Sequence, residues 1–200
     1  MRALIMAGGA GSRLDLGEKP IIPLCGRPMI EYIITAFRQA GCEPVVVASP
    51  RTPMTQNWCR ANNITLCKTE GTGFIEDMID AIQVLEEKGP AFITVSDIPG
   101  ITSGIIRSIL TTYKECNKEA LSTWVPATMV RSSCRGMPYR EPIDGIEACP
   151  VGINILRGDR ISEIQDEYAL LLHEPRLALN VNTGADLAFA ETLLKSAEPE

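Results

Sequence analysis

Arg2-Ala3-Leu4-Ile5-Met6-Ala7-Gly8-Gly9-Ala10-Gly11-Ser12-Arg13 is the stretch that decides the fold. Residues 2–7 are a short apolar run that breaks into glycines. It falls well short of the ~18 apolar residues of a membrane span, and the glycines interrupt it where a signal peptide would continue. It reads as a buried strand feeding a glycine loop. Such a loop lets backbone N–H groups approach phosphate oxygens closely. Arg13, and Lys19 a little further on, add the two cations that a triphosphate or a departing pyrophosphate calls for.

Working outward, short β-branched runs alternate with amphipathic helices. Pro28 opens a helix with Met29, Ile30, Ile33, Ile34, Phe37 and Ala40 on one face, and Gly41 ends it. Val45–Ala48 is a second strand, a short helix runs from Pro53 to Trp58, and Ile64–Cys67 is a third strand. The loop Thr69-Glu70-Gly71-Thr72-Gly73 leads into a helix with Phe74, Ile75, Met78, Ile79, Ile82 and Leu85 on one side. Ala91–Val95 is a strand ending at Ser96-Asp97. Ser103 is placed to cap a helix carrying Ile105, Ile106, Ile109, Leu110 and Tyr113.

Beyond that helix, Leu121–Val125 and Val151–Leu156 read as strands, and the aperiodic stretch 126–145 between them as a long loop. Residues 160–173 are expected to be helical at best, Ala178–Val181 a short strand, and Ala185–Leu194 a closing helix. The pattern predicts an α/β fold: one doubly wound, mostly parallel sheet in a three-layer α/β/α sandwich. A single domain over 1–195 with a loose tail at 196–200 suits the length of 200 residues. Ligands of such a sheet lie beyond the carboxyl ends of its strands. The segments Gly8–Lys19, Thr69–Gly73 and Ser96-Asp97 are therefore expected to converge.

Composition excludes several classes. The net charge of −6 argues against nucleic acid as the main partner, since phosphate neutralisation needs surplus Lys and Arg. Seven cysteines form no Cys-x-x-Cys pair, and His173 is the lone histidine, so neither a zinc site nor a His-assisted nucleophile is expected. The cysteines read as small buried apolar residues of a cytoplasmic protein rather than a disulfide framework. The glycine loop lacks the Lys-Ser or Lys-Thr of a Walker A motif and the third glycine of a dinucleotide fingerprint.

The run Ala7-Gly8-Gly9-Ala10-Gly11-Ser12-Arg13, then Lys19-Pro20 and Leu24-Cys25-Gly26-Arg27-Pro28-Met29-Ile30, resembles the opening of the nucleotidyltransferases that activate sugars, cofactor precursors and lipid precursors. The resemblance implies a Rossmann-like nucleotidyltransferase fold and transfer of a nucleoside monophosphate from an NTP to a phosphate, with release of pyrophosphate. It implies catalytic roles for Arg13 and Lys19, and nucleotide binding by Ala7, Gly8, Gly9, Gly11 and Ser12. Gly71, Thr72 and Gly73 match the family's base-holding loop. Asp97 and Asn182 match its magnesium-side residues, with Asn180 their neighbour. Gly152 and Asn154 match a strand facing the site. The expected cofactor is Mg²⁺, with Mn²⁺ as a substitute.

Plainer roles compete at several of these positions: a helix-entry cap for Asp97, an N-cap for Asn182 or Thr183, a β-bulge for Gly152. Within the family, the short chain together with Glu18-Lys19-Pro20, Gly73-Phe74-Ile75-Glu76-Asp77, Pro150-Val151-Gly152-Ile153-Asn154 and Asn180-Val181-Asn182-Thr183 resembles the archaeal guanylyltransferases that use GTP and adenosylcobinamide phosphate. Alternatives kept open are a guanylyl- or cytidylyltransferase for another acceptor, such as molybdenum cofactor, and a non-catalytic nucleotide-binding regulator. Arg131, Arg135 and Arg140, set among prolines, make 126–145 a candidate acceptor side, with Arg135 and Arg140 its leading cations. No oligomeric state follows from the sequence.

Overall fold

Side chains along the first strand alternate between two apolar layers. In the computed structural model, which describes residues 1–9, 17–130 and 139–195, Ala3 and Ile5 face one side of the sheet and Leu4 and Met6 the other, all buried. That strand, β1 (Arg2–Met6), lies between parallel neighbours. The two-stranded ribbon β2 (Pro23–Leu24) and β3 (Arg27–Pro28) follows, and then α1 (Met29–Gln39) and β4 (Glu43–Ala48). Next come α2 (Pro53–Ala61), β5 (Thr65–Lys68), α3 (Phe74–Val84) and β6 (Pro90–Val95). The second half holds α4 (Ser103–Cys116), β7 (Ala120–Pro126), β8 (Glu141–Ile143), β9 (Ile146–Arg157), β10 (Glu167–Leu171) and α5 (Gly184–Lys195).

The main sheet has the order β10-β7-β9-β6-β1-β4-β5, with β8 paired to β9. β10 is parallel to β7, and β6, β1, β4 and β5 are mutually parallel. β9 runs antiparallel between β6 and β7, so the carboxyl ends of β6 and β7 point the same way. Helices α1, α2 and α4 cover one face through Ile30, Ile33, Phe37, Cys59, Ile106 and Ile109. Helix α3 covers the other through Met78, Ala81 and Ile82. Phe37 meets Phe92 edge to face, with ring centroids 5.2 Å apart. Burial of each such side chain contributes roughly 1.5–3 kcal/mol. A third cluster of Ile22, Leu24, Met29, Leu179, Val181 and Ala190 packs the segment before α5 onto the residues that follow Lys19.

The structure corrects four local expectations. Residues 160–173 are not helical. A 3₁₀ turn at Gly158–Arg160 leads to edge strand β10, whose entry is fixed by Gln165 bridging to the Arg157 backbone and by Asp166 O accepting from Glu119 N and Ala120 N. Residues 178–181 form no strand: a 3₁₀ turn at Pro175–Ala178 precedes an extended crossing tied to the sheet by Val181 N donating to Asp97 O at 2.9 Å. The helix cap before Ser103 is Thr102, whose hydroxyl accepts from Ile105 N at 3.3 Å. Within 126–145, a 3₁₀ turn occupies Ala127–Met129 and β8 pairs back on β9 as a hairpin. Its turn, Asp144-Gly145, carries φ of +51° and +78°, the left-handed pair that favours Asp-Gly between hairpin strands.

Candidate nucleotide-transfer site

A cleft of about 400 Å³ opens at the carboxyl ends of β1, β4, β5 and β6, within the size range of small-ligand sites. Gly8, Gly9, Lys19, Gly71, Gly73 and Asp97 all line it, as does Asn182 from the far end of the chain. The three expected segments therefore converge, and a fourth joins them. Ala7 sits just behind, buried, donating its N–H to Val47 O at 2.7 Å.

Lys19 organises the mouth of the cleft. It starts a 3₁₀ turn, Lys19–Ile21, whose Pro20 is buried. Its ammonium donates to Asp97 Oδ2 and, at 2.8 Å, to Asn182 Oδ1. Both members of the ion pair are largely enclosed, with side chains 15% and 16% exposed. The bond from Val181 N to Asp97 O ties the Asn182 segment to the same strand end. Charge-assisted bonds of this kind are about twice as strong as neutral ones.

The helix after Asn182 is capped by other residues. Thr183 Oγ1 accepts from Asp186 N, and Asp186 Oδ2 accepts from the N–H of Asn182 and Thr183 and from the Thr183 hydroxyl. This is a capping box. Thr183 is thus the cap, and the Asn182 side chain faces Lys19. Asn180 is not among the residues that line the cleft.

Asp97 also bears on the question of a metal. One carboxylate oxygen takes Lys19, while Oδ1 is enclosed and has no hydrogen-bond partner among the described residues. A buried carboxylate oxygen without a partner is costly unless something else uses it, and a hard divalent cation, which needs only one or two protein carboxylates beside substrate phosphates, would do so. The donor set fits such an ion. Among the described residues no cluster of three or more His, Cys, Asp and Glu could hold a metal by itself.

The wall opposite Asp97 is built on Ser49, at the end of β4. Its hydroxyl donates to Gly8 O at 2.7 Å and accepts from Arg51 N at 3.2 Å. Gly71 has φ +77°, and a Cβ there would stand 2.9 Å from Ser49 Cβ, so only glycine fits. Gly71 N–H is taken by buried Asp77 Oδ1 at 2.9 Å and is unavailable to a ligand. Thr72 is exposed outside the cleft lining, and Phe74 lines it as an exposed residue. Nearby, the enclosed Thr69 Oγ1 has no partner among the described residues.

Gly152 does not line the cleft. It lies in a bulge where Ser122 pairs with Asn154 and Trp124 with Pro150, has φ +82°, and a Cβ there would press on Val95 at 3.0 Å. Its glycine is required by backbone geometry and by the packing of cleft residue Val95, rather than by room for a phosphate. Asn154 lies within the β9 ladder opposite Ile93 and Ser122, away from the cleft lining. Arg140 is exposed and pairs with Glu147 at 3.4 Å across the β8–β9 hairpin, at the end of the sheet where the cleft opens. Arg157 and Arg160 lie at the opposite end, beside the start of β6. Gly11, Ser12, Arg13, Arg131 and Arg135 fall outside the described residues.

Two residues at the site escaped sequence reasoning. Arg51 lines the cleft with its guanidinium unpaired among the described residues; the signal was a cation directly after a strand that ends at the ligand side. Glu18, the other, holds the start of α2. Among the described residues no cysteine lines the cleft. Burial raises the thiols of Cys42, Cys67 and Cys149 and pushes Cys59 up to about 11, which keeps them protonated.

The cleft thus joins the glycines after β1, Lys19 clasped to Asp97 at the end of β6, and Asn182 on the same lysine. The chain belongs to the MobA-like NTP transferase domain family, whose model matches residues 3–148; enzymes of this class use divalent metal ions. It is similar, at 35% identity over 208 aligned positions and 98% of both chains, to adenosylcobinamide-phosphate guanylyltransferase of Methanocaldococcus jannaschii. Its fold is shared with a CMP:2-keto-3-deoxy-manno-octonic acid synthetase solved with CTP (TM-score 0.72, 15% identity, 98% and 99% of the chains). It is shared also with a glucose-1-phosphate thymidylyltransferase from Bacillus anthracis (TM-score 0.74, 13% identity, 100% and 97% of the chains). Among the described residues no helix is long and apolar enough to cross a membrane.

Proposed function

We propose that the chain transfers GMP from GTP to adenosylcobinamide phosphate, giving adenosylcobinamide-GDP and pyrophosphate. The observation that carries the reading is the clasp of Lys19 between Asp97 and Asn182 at the mouth of a glycine-walled cleft. Similarity along the full chain to a guanylyltransferase for that acceptor supports the choice of substrates.

In this reading a phosphate oxygen of the acceptor attacks the α-phosphorus of GTP in line. The bond from the α-phosphorus to the bridging oxygen breaks, and the electron pair leaves with pyrophosphate. No covalent enzyme intermediate forms, consistent with the protonated, buried thiols. Gly8 and Gly9 let the triphosphate lie close to the backbone. Lys19 turns from Asp97 towards the phosphates and neutralises charge as it builds on the leaving group. Asp97, with its unpartnered Oδ1, and Asn182 are the residues that would hold a Mg²⁺, which supplies charge neutralisation on the phosphate oxygens. Arg13 shares the leaving-group role with Lys19. Guanine lies on the Gly71–Gly73 side, where the Arg51 guanidinium and the Thr69 hydroxyl are unpaired among the described residues.

The test is incubation of the chain and Mg²⁺ with adenosylcobinamide phosphate and each of GTP, ATP, CTP and UTP, with the corrinoid product weighed by mass spectrometry. A gain of one GMP with GTP, and little product with the others, is the expected result. A nucleotide transferred equally well from all four overturns the guanine assignment.

A further inference from the structure

The residue before Lys19 is an acid, an unexpected neighbour for a group meant to meet a triphosphate. Glu18 is nevertheless not aimed at the cleft. Its Oε1 accepts from Met54 N at 2.7 Å, and its Oε2 accepts from Thr55 N and from the Thr55 hydroxyl, each at 2.6 Å. Met54 and Thr55 are the second and third residues of α2, whose first residue, Pro53, has no N–H. The local N-cap position, Thr52, makes no side-chain cap to this helix; its hydroxyl is engaged with Ser49. Glu18 therefore caps α2 from 36 residues away. The helix N-terminus carries partial positive charge, and three donors satisfy the carboxylate, so its charge is absorbed where it would otherwise repel phosphate.

We infer that Glu18 is a positioning residue for Lys19: by clamping the chain to the N-terminus of α2, it fixes the peptide from which Lys19 reaches into the cleft. This rests on the role proposed above for Lys19. Two consecutive residues span the mouth, Glu18 to α2 on one side and Lys19 to Asp97 and Asn182 on the other. The backbone between them is stiff, because Glu18 O accepts from Ile21 N and Lys19 O from Ile22 N, while Pro20 and Ile22 are buried. Cutting the Glu18 clamp removes the bonds that tie the start of this turn to α2, so the Lys19 ammonium should lose its fixed geometry. A displacement of about 1 Å in such a group costs up to about a hundredfold in rate.

The experiment reads Lys19 directly and needs no acceptor. Lys19 is labelled with an amine acylating agent in wild type and Glu18→Ala, its modification rate is followed by mass spectrometry, and amide exchange is measured over residues 53–57. In wild type Lys19 reacts slowly, because its ammonium is enclosed and doubly bonded. In Glu18→Ala it should react several-fold faster, exchange at Met54 and Thr55 should rise, and the midpoint of unfolding should fall by only a few degrees. Turnover should drop in kcat more than in KM for GTP, and the drop should vanish when Glu18→Ala is made in a Lys19→Ala background. If exchange rises but Lys19 labelling does not change, Glu18 only caps the helix and the inference is overturned. Should Glu18→Ala fail to fold, Glu18→Gln, which retains one acceptor oxygen, carries the same test: intermediate labelling supports positioning, and wild-type labelling contradicts it. A chain that transfers no GMP would defeat the proposed function and leave the labelling result standing.

Discussion

Lys19 Nζ and Asn182 Oδ1 are 2.8 Å apart although 163 residues separate them in the chain. The contact closes the fold on itself. The segment that follows the first strand meets the segment that precedes the last helix, and both meet the end of β6 at Asp97. Three residue types with little in common gain a shared chemistry only through that meeting.

Because Lys19 holds this junction and is proposed to meet the leaving group, Lys19→Ala should lower kcat by about two orders of magnitude, as loss of one preorganised charge contact does. Affinity for GTP, measured by calorimetry, should fall less. The variant also leaves Asp97 and Asn182 without their donor, which should cost about 1–3 kcal/mol of stability in a denaturant titration. Wild-type turnover in Lys19→Ala would remove it from the mechanism.

Asp97 is the proposed metal ligand because its Oδ1 is enclosed and has no partner among the described residues. Asp97→Asn keeps the shape and an acceptor for Lys19 but removes the charge. It should abolish turnover and weaken Mn²⁺ binding in the presence of GTP, read by electron paramagnetic resonance, while the melting curve stays near wild type. Unaltered Mn²⁺ binding would mean that Asp97 serves only the Lys19 ion pair.

Two glycines of the cleft separate folding from binding. A Cβ on Gly9 meets none of the described residues within 4 Å, so Gly9→Ala should leave the melting midpoint unchanged and weaken GTP binding through the ligand alone. Gly71→Ala must adopt a left-handed φ and stand 2.9 Å from Ser49 Cβ. It should lose at least about 1–2 kcal/mol of stability and disturb the Gly8 wall as well. Equal melting midpoints for the two variants would contradict this account of the wall.

The acceptor side is tested by replacing Arg135 and Arg140 together with Ala. Arg140 lies on the hairpin at the end of the sheet where the cleft opens, tied among the described residues to an exposed Glu147, and such surface pairs contribute about 0–1 kcal/mol. The double variant should fold normally, bind GTP normally and show a raised KM for the corrinoid. An unchanged corrinoid KM removes this hairpin from the acceptor site.

Much of this was legible in the sequence, for identifiable reasons. The alternation of Ala3 and Ile5 with Leu4 and Met6 gives β1, and the Ile33–Phe37 stripe gives α1, because period and burial coincide there. The convergence of Gly8, Gly71 and Asp97 followed from a topological rule for parallel sheets. What failed was set by tertiary pairing. β10 is an edge strand whose half-buried residues show no clean alternation, and it exists because β7 offers a partner. Extended residues 178–181 have strand-like composition but cross the ends of the sheet instead of joining a ladder. Gly152 carried two readings, a ligand gap and a bulge, and only the register with β7 separates them. The role of Glu18 has no local signature, since its cap is donated to a helix 36 residues away; the Asp144-Gly145 hairpin turn, by contrast, is readable from its residue types.

The central claim is that GMP moves intact from GTP to a corrinoid phosphate. The most direct measurement uses GTP carrying a radiolabel on the α-phosphorus, adenosylcobinamide phosphate and Mg²⁺, with the corrinoid separated and counted while released pyrophosphate is assayed in parallel. The account predicts label in the corrinoid, stoichiometric with pyrophosphate, and no corrinoid label when the γ-phosphorus carries it instead. Label recovered only as free GMP or unreacted GTP, with an unlabelled corrinoid, would contradict it.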